Sequence, residues 1–183
     1  DAVESDAGQS VRGEVEFRDV RIAYEDGPDV LCGLSLRIGA GEHVAIVGPS
    51  GAGKTTMASL IPRFNSPRSG SVLVDGRDID DLGIPTVRRA VGMAFQEVFL
   101  FNSSLFENLL YARYDATVDE IVEACRISGA HDFIEKLPVG YGSTPSELGG
   151  RFSRGEKQRI TLARALIKNP RILILDEATA SLD

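Results

Sequence analysis

The sequence predicts an α/β fold in which a core sheet is joined by an antiparallel β-subdomain and an inserted α-helical subdomain. Three observations lead there. From Glu14 to Ile38 apolar and polar residues alternate at strand period, a short apolar run then breaks at a glycine-rich turn into a helical repeat, and from residue 105 the pattern turns helical.

In chain order, residues 1–12 are small, polar and acidic without a hydrophobic period, and read as a linker or disordered terminus. Val15, Phe17 and Val20, then Leu34, Leu36 and Ile38, mark half-buried antiparallel strands. Val44 to Val47 is a short, almost wholly apolar run that reads as a strand entering the glycine turn, and Met57, Leu60, Ile61 and Phe64 follow at helical spacing. Ser71–Val74 and Val91–Phe95 are further strands, with Ile84–Ala90 helical between them. Leu105 to Glu135 is helical, its apolar faces carrying Leu109, Leu110, Ile121, Val122, Ala124, Phe133 and Ile134. Leu137 to Arg151 is rich in Gly, Pro and Ser and reads as loop. Gly155 to Leu166 is a helix that Pro170 stops, and Arg171 to Leu175 is a buried strand running into Asp176 and Glu177.

Composition narrows the function classes. The 183 residues are 43% hydrophobic, enough for a filled core, and the net charge is -7 with 20 Lys and Arg scattered along the chain. That pattern offers no basic footprint for a nucleic acid, so none is expected as a partner. Cys32 and Cys125 stand alone, without C-x-x-C spacing or a His-rich segment, and read as reduced thiols of a cytosolic protein. His43 and His131 read as ordinary strand or helix residues. No apolar run approaches the ~18 residues of a membrane span, and the acidic start lacks the pattern of a signal peptide.

Gly48-Pro49-Ser50-Gly51-Ala52-Gly53-Lys54-Thr55 matches the phosphate-loop pattern G-x-x-x-x-G-K-S/T, in the strand-to-helix context the pattern requires. Glycines let successive backbone N–H groups point at phosphate oxygens, so Gly48, Ser50, Gly51, Ala52, Gly53, Lys54, Thr55 and Thr56 are candidate nucleotide-binding positions. Lys54 is the point charge for the β- and γ-phosphates, and the Thr55 hydroxyl is placed to ligate Mg²⁺. At the far end of the chain, Ile172 to Leu175 delivers two carboxylates to the carboxyl edge of a parallel strand, where such sheets bind ligands. Asp176 suits the Mg²⁺ shell, and Glu177 suits a general base for the attacking water.

The remaining motifs carry a family resemblance. Phe152-Ser153-Arg154-Gly155-Glu156-Lys157-Gln158-Arg159 resembles the ABC signature, and Ala180-Ser181-Leu182-Asp183 looks like its D-loop. From Gly13 to Asp183 the chain is similar to the nucleotide-binding domains of ABC exporters. The stretches from Phe95 to Asn102, Glu107 to Leu109 and Leu137 to Gly142 favour exporters over importers.

The resemblance implies a P-loop NTPase (RecA-like) core, residues 13–183 as one ATPase domain, and a helical subdomain over about 105–166 that carries the signature. It also implies Tyr24 stacking on adenine, Gln96 in the Q-loop touching Mg²⁺ and the nucleophilic water, and Ser153 and Gly155 capping the ATP bound to a second domain. The catalytic set is then Glu177, Lys54 and Gln96, the metal set Thr55, Gln96 and Asp176, and the ligands ATP and Mg²⁺. The implied partners are a second nucleotide-binding domain and a transmembrane domain fused N-terminally, the whole working as a motor at the cytoplasmic face of a membrane, the cell inner membrane. Two rival expectations are a hydrolysis-impaired regulatory half of a heterodimeric exporter and a soluble ABC ATPase without a transport role. The second rival requires a basic face or coiled-coil insertion, and the sequence displays neither.

The sequence departs from the family pattern in three places. Arg154 stands where the first signature glycine is usual; its side chain either obstructs close backbone approach to phosphate or adds a charge-assisted contact, and both readings stay open. Ser146-Glu147-Leu148-Gly149 lacks the arginine often found after the glutamate. The last residue, Asp183, precedes the position of the family's switch histidine and closing strands, so the sequence reads as a C-terminally truncated domain with apolar surface and a strand edge uncovered.

Overall fold

The computed structural model describes residues 11–25, 27–95, 99–145 and 152–176. The chain forms two compact units, Asp1–Ala90 and Val91–Asp183.

The first unit is built on a four-stranded antiparallel sheet. Strands β1 (Val15–Ala23) and β2 (Asp29–Ile38) lead to helix α1 (Lys54–Leu60), then come β3 (Ser69–Val74), β4 (Arg77–Asp78), α2 (Ile79–Leu82) and α3 (Ile84–Ala90). The strand order is β2-β1-β3-β4. The alternation read from the sequence is the face of this sheet: Val15, Phe17, Val20, Val72 and Val74 are buried, and Ile22 joins them. A bulge interrupts β1 between Phe17 and Val20, with Asp19 at φ 45° and its N–H donating to the Ser35 hydroxyl at 3.0 Å. β3 crosses that bulge at Gly70, where a Cβ would lie 2.4 Å from the carbonyl oxygens of Arg18 and Asp19, so no other residue fits. The entry to β1 is fastened by Asp75, whose carboxylate accepts from the backbone N–H groups of Arg12, Gly13 and Glu14 at 2.6, 3.2 and 3.0 Å.

One expected element of this unit does not form. Residues 44–47 were expected as a strand, yet they pair with no described strand, and Val47 is 88% exposed. Apolar β-branched residues favour extended backbone, but a strand also needs a ladder partner, and β1 already has β2 and β3 on its two edges. Helix α1 also ends earlier than the spacing of Ile61 and Phe64 suggests. Ile61 keeps helical backbone, but Pro62 carries no N–H to extend the ladder and Arg63 turns to φ 55°, which ends the helix.

The second unit pairs a two-stranded parallel sheet, β5 (Val91–Ala94) with β6 (Ile172–Leu175), and a set of helices. These are α4 (Leu105–Leu110), α5 (Val118–Ile127), α6 (His131–Glu135), a 3-10 turn at Gly140–Gly142 and α7 (Arg154–Ile167). The stretch expected as helical from 105 to 135 is thus three short helices. Ser104 and Thr117 each accept from the N–H three residues on, and Glu107 and Glu120 return the bond, forming capping boxes that open α4 and α5. Their apolar faces share one core, with Leu105, Leu109, Ile121, Cys125, Ile134, Phe152 and Ile160 at its centre. Helix α7 lies hard against β5: a Cβ on Gly92 would sit 2.7 Å from both the Ala165 carbonyl oxygen and Pro170 Cγ. Lys168 Nζ donates to the Val91 carbonyl at 2.8 Å.

Candidate functional site

In the first unit the glycine-rich turn runs over residues 48–53 and delivers the chain into α1. Gly51 and Gly53 take φ 79° and 89°, the left-handed region that side chains resist. Gly53 has a second reason to be glycine, because a Cβ there would come within 2.9 Å of Leu31 Cδ2 and 3.1 Å of Val30 Cγ1 on β2. At Gly51 a Cβ would meet nothing within 4 Å, so that side of the turn is open to a ligand. The turn closes on itself through Ala52, whose N–H donates to the Pro49 carbonyl at 3.2 Å.

Lys54, Thr55 and Thr56 open α1. The Lys54 ammonium folds over the turn and donates to the Gly48 and Pro49 carbonyls at 2.9 and 2.8 Å. It lies across the turn's carbonyls, as a group that exchanges carbonyl for phosphate oxygens would. The Thr55 side chain is exposed, whereas Thr56 is buried. The Thr56 hydroxyl lies 3.0 Å from the Tyr24 hydroxyl, which brings the residue that follows β1 to the first turn of α1. Tyr24 keeps 49% of its surface exposed, leaving ring area available for stacking beside the turn.

In the second unit the parallel register sets Ala94 against Leu175, and the Asp176 N–H donates to the Ala94 carbonyl at 3.0 Å. Asp176 therefore sits at the carboxyl end of a parallel pair, as the sequence predicts. Ser153 is the N-cap of α7: its hydroxyl accepts from Glu156 N–H at 3.2 Å, and the Glu156 carboxylate accepts from Ser153 N–H at 2.7 Å. Arg154 and Gly155 form the first turn of that helix. Gln96, Glu177 and residues 180–183 lie outside the described residues.

No group of three or more His, Cys, Asp and Glu side chains that could hold a metal ion occurs among the described residues. Mg²⁺ needs no such cage, since it takes one or two carboxylates, its own waters and the substrate's phosphates. The exposed Thr55 hydroxyl in the first unit and the Asp176 carboxylate in the second are each of the oxygen type that Mg²⁺ takes, and the glycine turn suits a polyphosphate. Both cysteines are free thiols. Burial raises the Cys125 thiol to about 11, and the same effect raises Tyr141 above the usual phenol range, so Cys125 is unreactive near neutral pH.

Sequence reading missed a polar cluster in the second unit. Asn108, fully buried on the apolar face of α4, and Arg164 of α7 are joined by hydrogen bonds to each other and to residues 99–104. The available signal was Asn108 three residues after Leu105 and one before Leu109, a polar side chain in a core register. Beside it Phe99, Phe101, Tyr111 and Tyr114 meet in succession, edge-to-face or tilted, at 5.1, 4.8 and 5.9 Å between ring centroids.

Comparison with known proteins agrees with these motifs. The profile of the family described as ABC transporter matches residues 31–180. An ATP-dependent lipid A-core flippase of Syntrophus aciditrophicus (strain SB) is 49% identical over 170 residues, which cover 93% of this chain and 28% of that protein. A putative multidrug export ATP-binding/permease protein of Bacillus subtilis (strain 168) is 48% identical over 174 residues, 94% of this chain and 30% of its own length. The solved structure of a bacterial Atm1-family ABC exporter with ATP bound is similar over 100% of this chain and 32% of the other, with 43% identity and a TM-score of 0.91. The chain thus spans under a third of these relatives.

Proposed function

This chain belongs to the ABC transporter family, and on that footing we propose that it is the ATP-binding and ATP-hydrolysing motor domain of an exporter. Residues 13–183 form the ATPase domain, with a helical subdomain over about 105–166. The observation that carries the reading is the turn at residues 48–53, with two left-handed glycines and the Lys54 ammonium lying across its carbonyls. The high identity to export proteins supports the exporter assignment.

In this reading the backbone N–H groups of residues 51–56 hold the phosphates of ATP, and Lys54 leaves the Gly48 and Pro49 carbonyls for the β- and γ-phosphate oxygens. Binding therefore replaces two neutral acceptors with charged ones, which strengthens each bond that Lys54 makes. Tyr24 stacks on the adenine, its ring steadied by the hydroxyl contact with Thr56. Thr55, Gln96 and Asp176 would hold Mg²⁺, which when bound would neutralise charge on the phosphate oxygens. Glu177 accepts the proton of the attacking water, and the Gln96 amide orients that water. Ser153 and Gly155 at the start of α7 cap the ATP of a second nucleotide-binding domain, so that occupancy drives closure of the pair.

No helix among the described residues is long and apolar enough to cross a membrane. The membrane-spanning part is a transmembrane domain joined ahead of this one, and the motor sits at the cytoplasmic face. The test is made in the complete protein with Lys54→Ala and Glu177→Gln. Lys54→Ala weakens binding of a fluorescent ATP analogue and removes phosphate release. Glu177→Gln keeps the analogue bound while hydrolysis falls by at least about a hundredfold. Undiminished hydrolysis in Glu177→Gln removes that residue from its role, and full hydrolysis in Lys54→Ala overturns the reading.

A further inference from the structure

Arg154 departs from the family pattern, and the proposed function gives it no task. It is the first residue of α7, a helix of 14 residues with Ser153 as its N-cap. The capping box takes up two donors at that end: Ser153 N–H donates to the Glu156 carboxylate at 2.7 Å, and Glu156 N–H donates to the Ser153 hydroxyl at 3.2 Å. The ladder of the helix begins with Lys157 N–H on the Ser153 carbonyl at 3.1 Å, so the N–H groups of Arg154 and Gly155 have no intrahelical acceptor. With arginine in the first position the helix start is regular, and Gly155 is not in the left-handed region.

The two charges of this first turn stand in different relations to the fold. The dipole of α7 puts positive potential at its N-terminus, which favours Glu156 there and disfavours Arg154. The Arg154 side chain is exposed, and its guanidinium has neither a hydrogen bond nor an ion pair among the described residues. Neither the helix nor the core gains from it. Glu156, by contrast, is held: its bond to Ser153 N–H fixes a carboxylate beside the donors of Arg154 and Gly155. A phosphate brought to those donors meets that negative charge at close range, and the repulsion works against the two N–H groups and the dipole together. Arg154 is the only cation in the sequence from Ser153 to Glu156. The Cα–Cβ bond of a helical residue tilts toward the helix N-terminus, so its side chain starts out toward an arriving ligand.

We propose that Arg154 offsets the Glu156 carboxylate at the start of α7 and so sets the affinity for the ATP triphosphate received there, the two residues acting as one unit. The inference rests on the ATP-capping role given above to Ser153 and Gly155. Of the two effects open to an arginine at this position, obstruction and added contact, it selects contact. The effect falls on binding, because the phosphate carries its charge before the chemical step as well as during it.

The experiment is a double-mutant cycle in the complete protein, with kcat for phosphate release and KM for ATP measured for Arg154→Ala, Glu156→Gln and the double variant. Glutamine closes a capping box as glutamate does, so Glu156→Gln removes the charge and keeps the cap. Arg154→Ala raises KM by about tenfold, the worth of one hydrogen bond to a charged group, and changes kcat by less than about twofold. In the Glu156→Gln background the same substitution raises KM by no more than about threefold. Arg154→Lys keeps the charge and stays within about threefold of the wild type. An unchanged KM in Arg154→Ala overturns the proposal, and a lowered KM overturns it in favour of obstruction. An equal rise with and without the Glu156 charge also overturns it, as does a loss confined to kcat. So does an Arg154→Ala protein that fails to fold, since the side chain would then be structural. A wild-type protein that binds and hydrolyses no ATP instead overturns the ATPase reading itself.

Discussion

Tyr24 shows how one side chain divides its labour. Its hydroxyl is spent on Thr56 and its ring is left half exposed, so the two parts separate by substitution. Tyr24→Phe keeps the ring and is expected to change ATP affinity by no more than about twofold, whereas Tyr24→Ala loses roughly tenfold, about the worth of one aromatic stack. Equilibrium titration with a fluorescent ATP analogue separates them. A second residue-scale prediction concerns pH. Burial raises Cys125 from its ordinary 9.0 to about 11, so the folded state holds that proton more tightly than the unfolded one. Its contribution to stability is complete below pH 9 and is lost as pH climbs toward about 11. Urea denaturation at pH 8 and pH 10.5 is expected to show a smaller loss in Cys125→Ala than in the wild type. Lys54, Thr55 and the two left-handed glycines were legible because their chemistry is local to one turn. Arg164 was not, since its partners lie 56 and 65 positions away in the chain.

Among the elements, α7 carries the clearest stability prediction. Ser153→Ala removes the capping bond to Glu156 N–H, and the loss is expected near 1 kcal/mol, read as a lower urea midpoint with unchanged m-value. The elements also show where sequence reading stops. Ile84–Ala90 was legible to the residue, and α7 and β5 to within a residue at each end. Over 105–135 the apolar pattern identifies helix but not where each helix begins; the S-x-x-E and T-x-x-E spacings at Ser104 and Thr117 mark two of the starts. The side chains of residues 44–47 favour a strand, but pairing is a property of two segments, and periodicity reports only one.

Across the molecule, the α/β class and the P-loop core were legible because several motifs agreed in order along the chain. The division at Ala90 was not, since no Gly- or Pro-rich linker marks it: Arg88, Arg89, Ala90 and Val91 run on without a break. Val44, Ile46 and Val47 present apolar side chains to solvent in the first unit, and Leu173 and Leu175 do so in the second. Purified alone, the 183-residue polypeptide is therefore expected to self-associate and to enhance ANS fluorescence, measurable by light scattering alongside the dye signal. A monodisperse polypeptide that leaves the dye dark would contradict this. The Asp75 carboxylate has a mechanical meaning as well. By pinning the backbone of residues 12–14 at the start of β1, it gives any chain joined ahead of them a fixed take-off point. Because β1 is flanked by β2 and β3, a tug arriving there loads two ladders lengthwise, in shear, and the sheet bears it as a whole before a single strand can peel away.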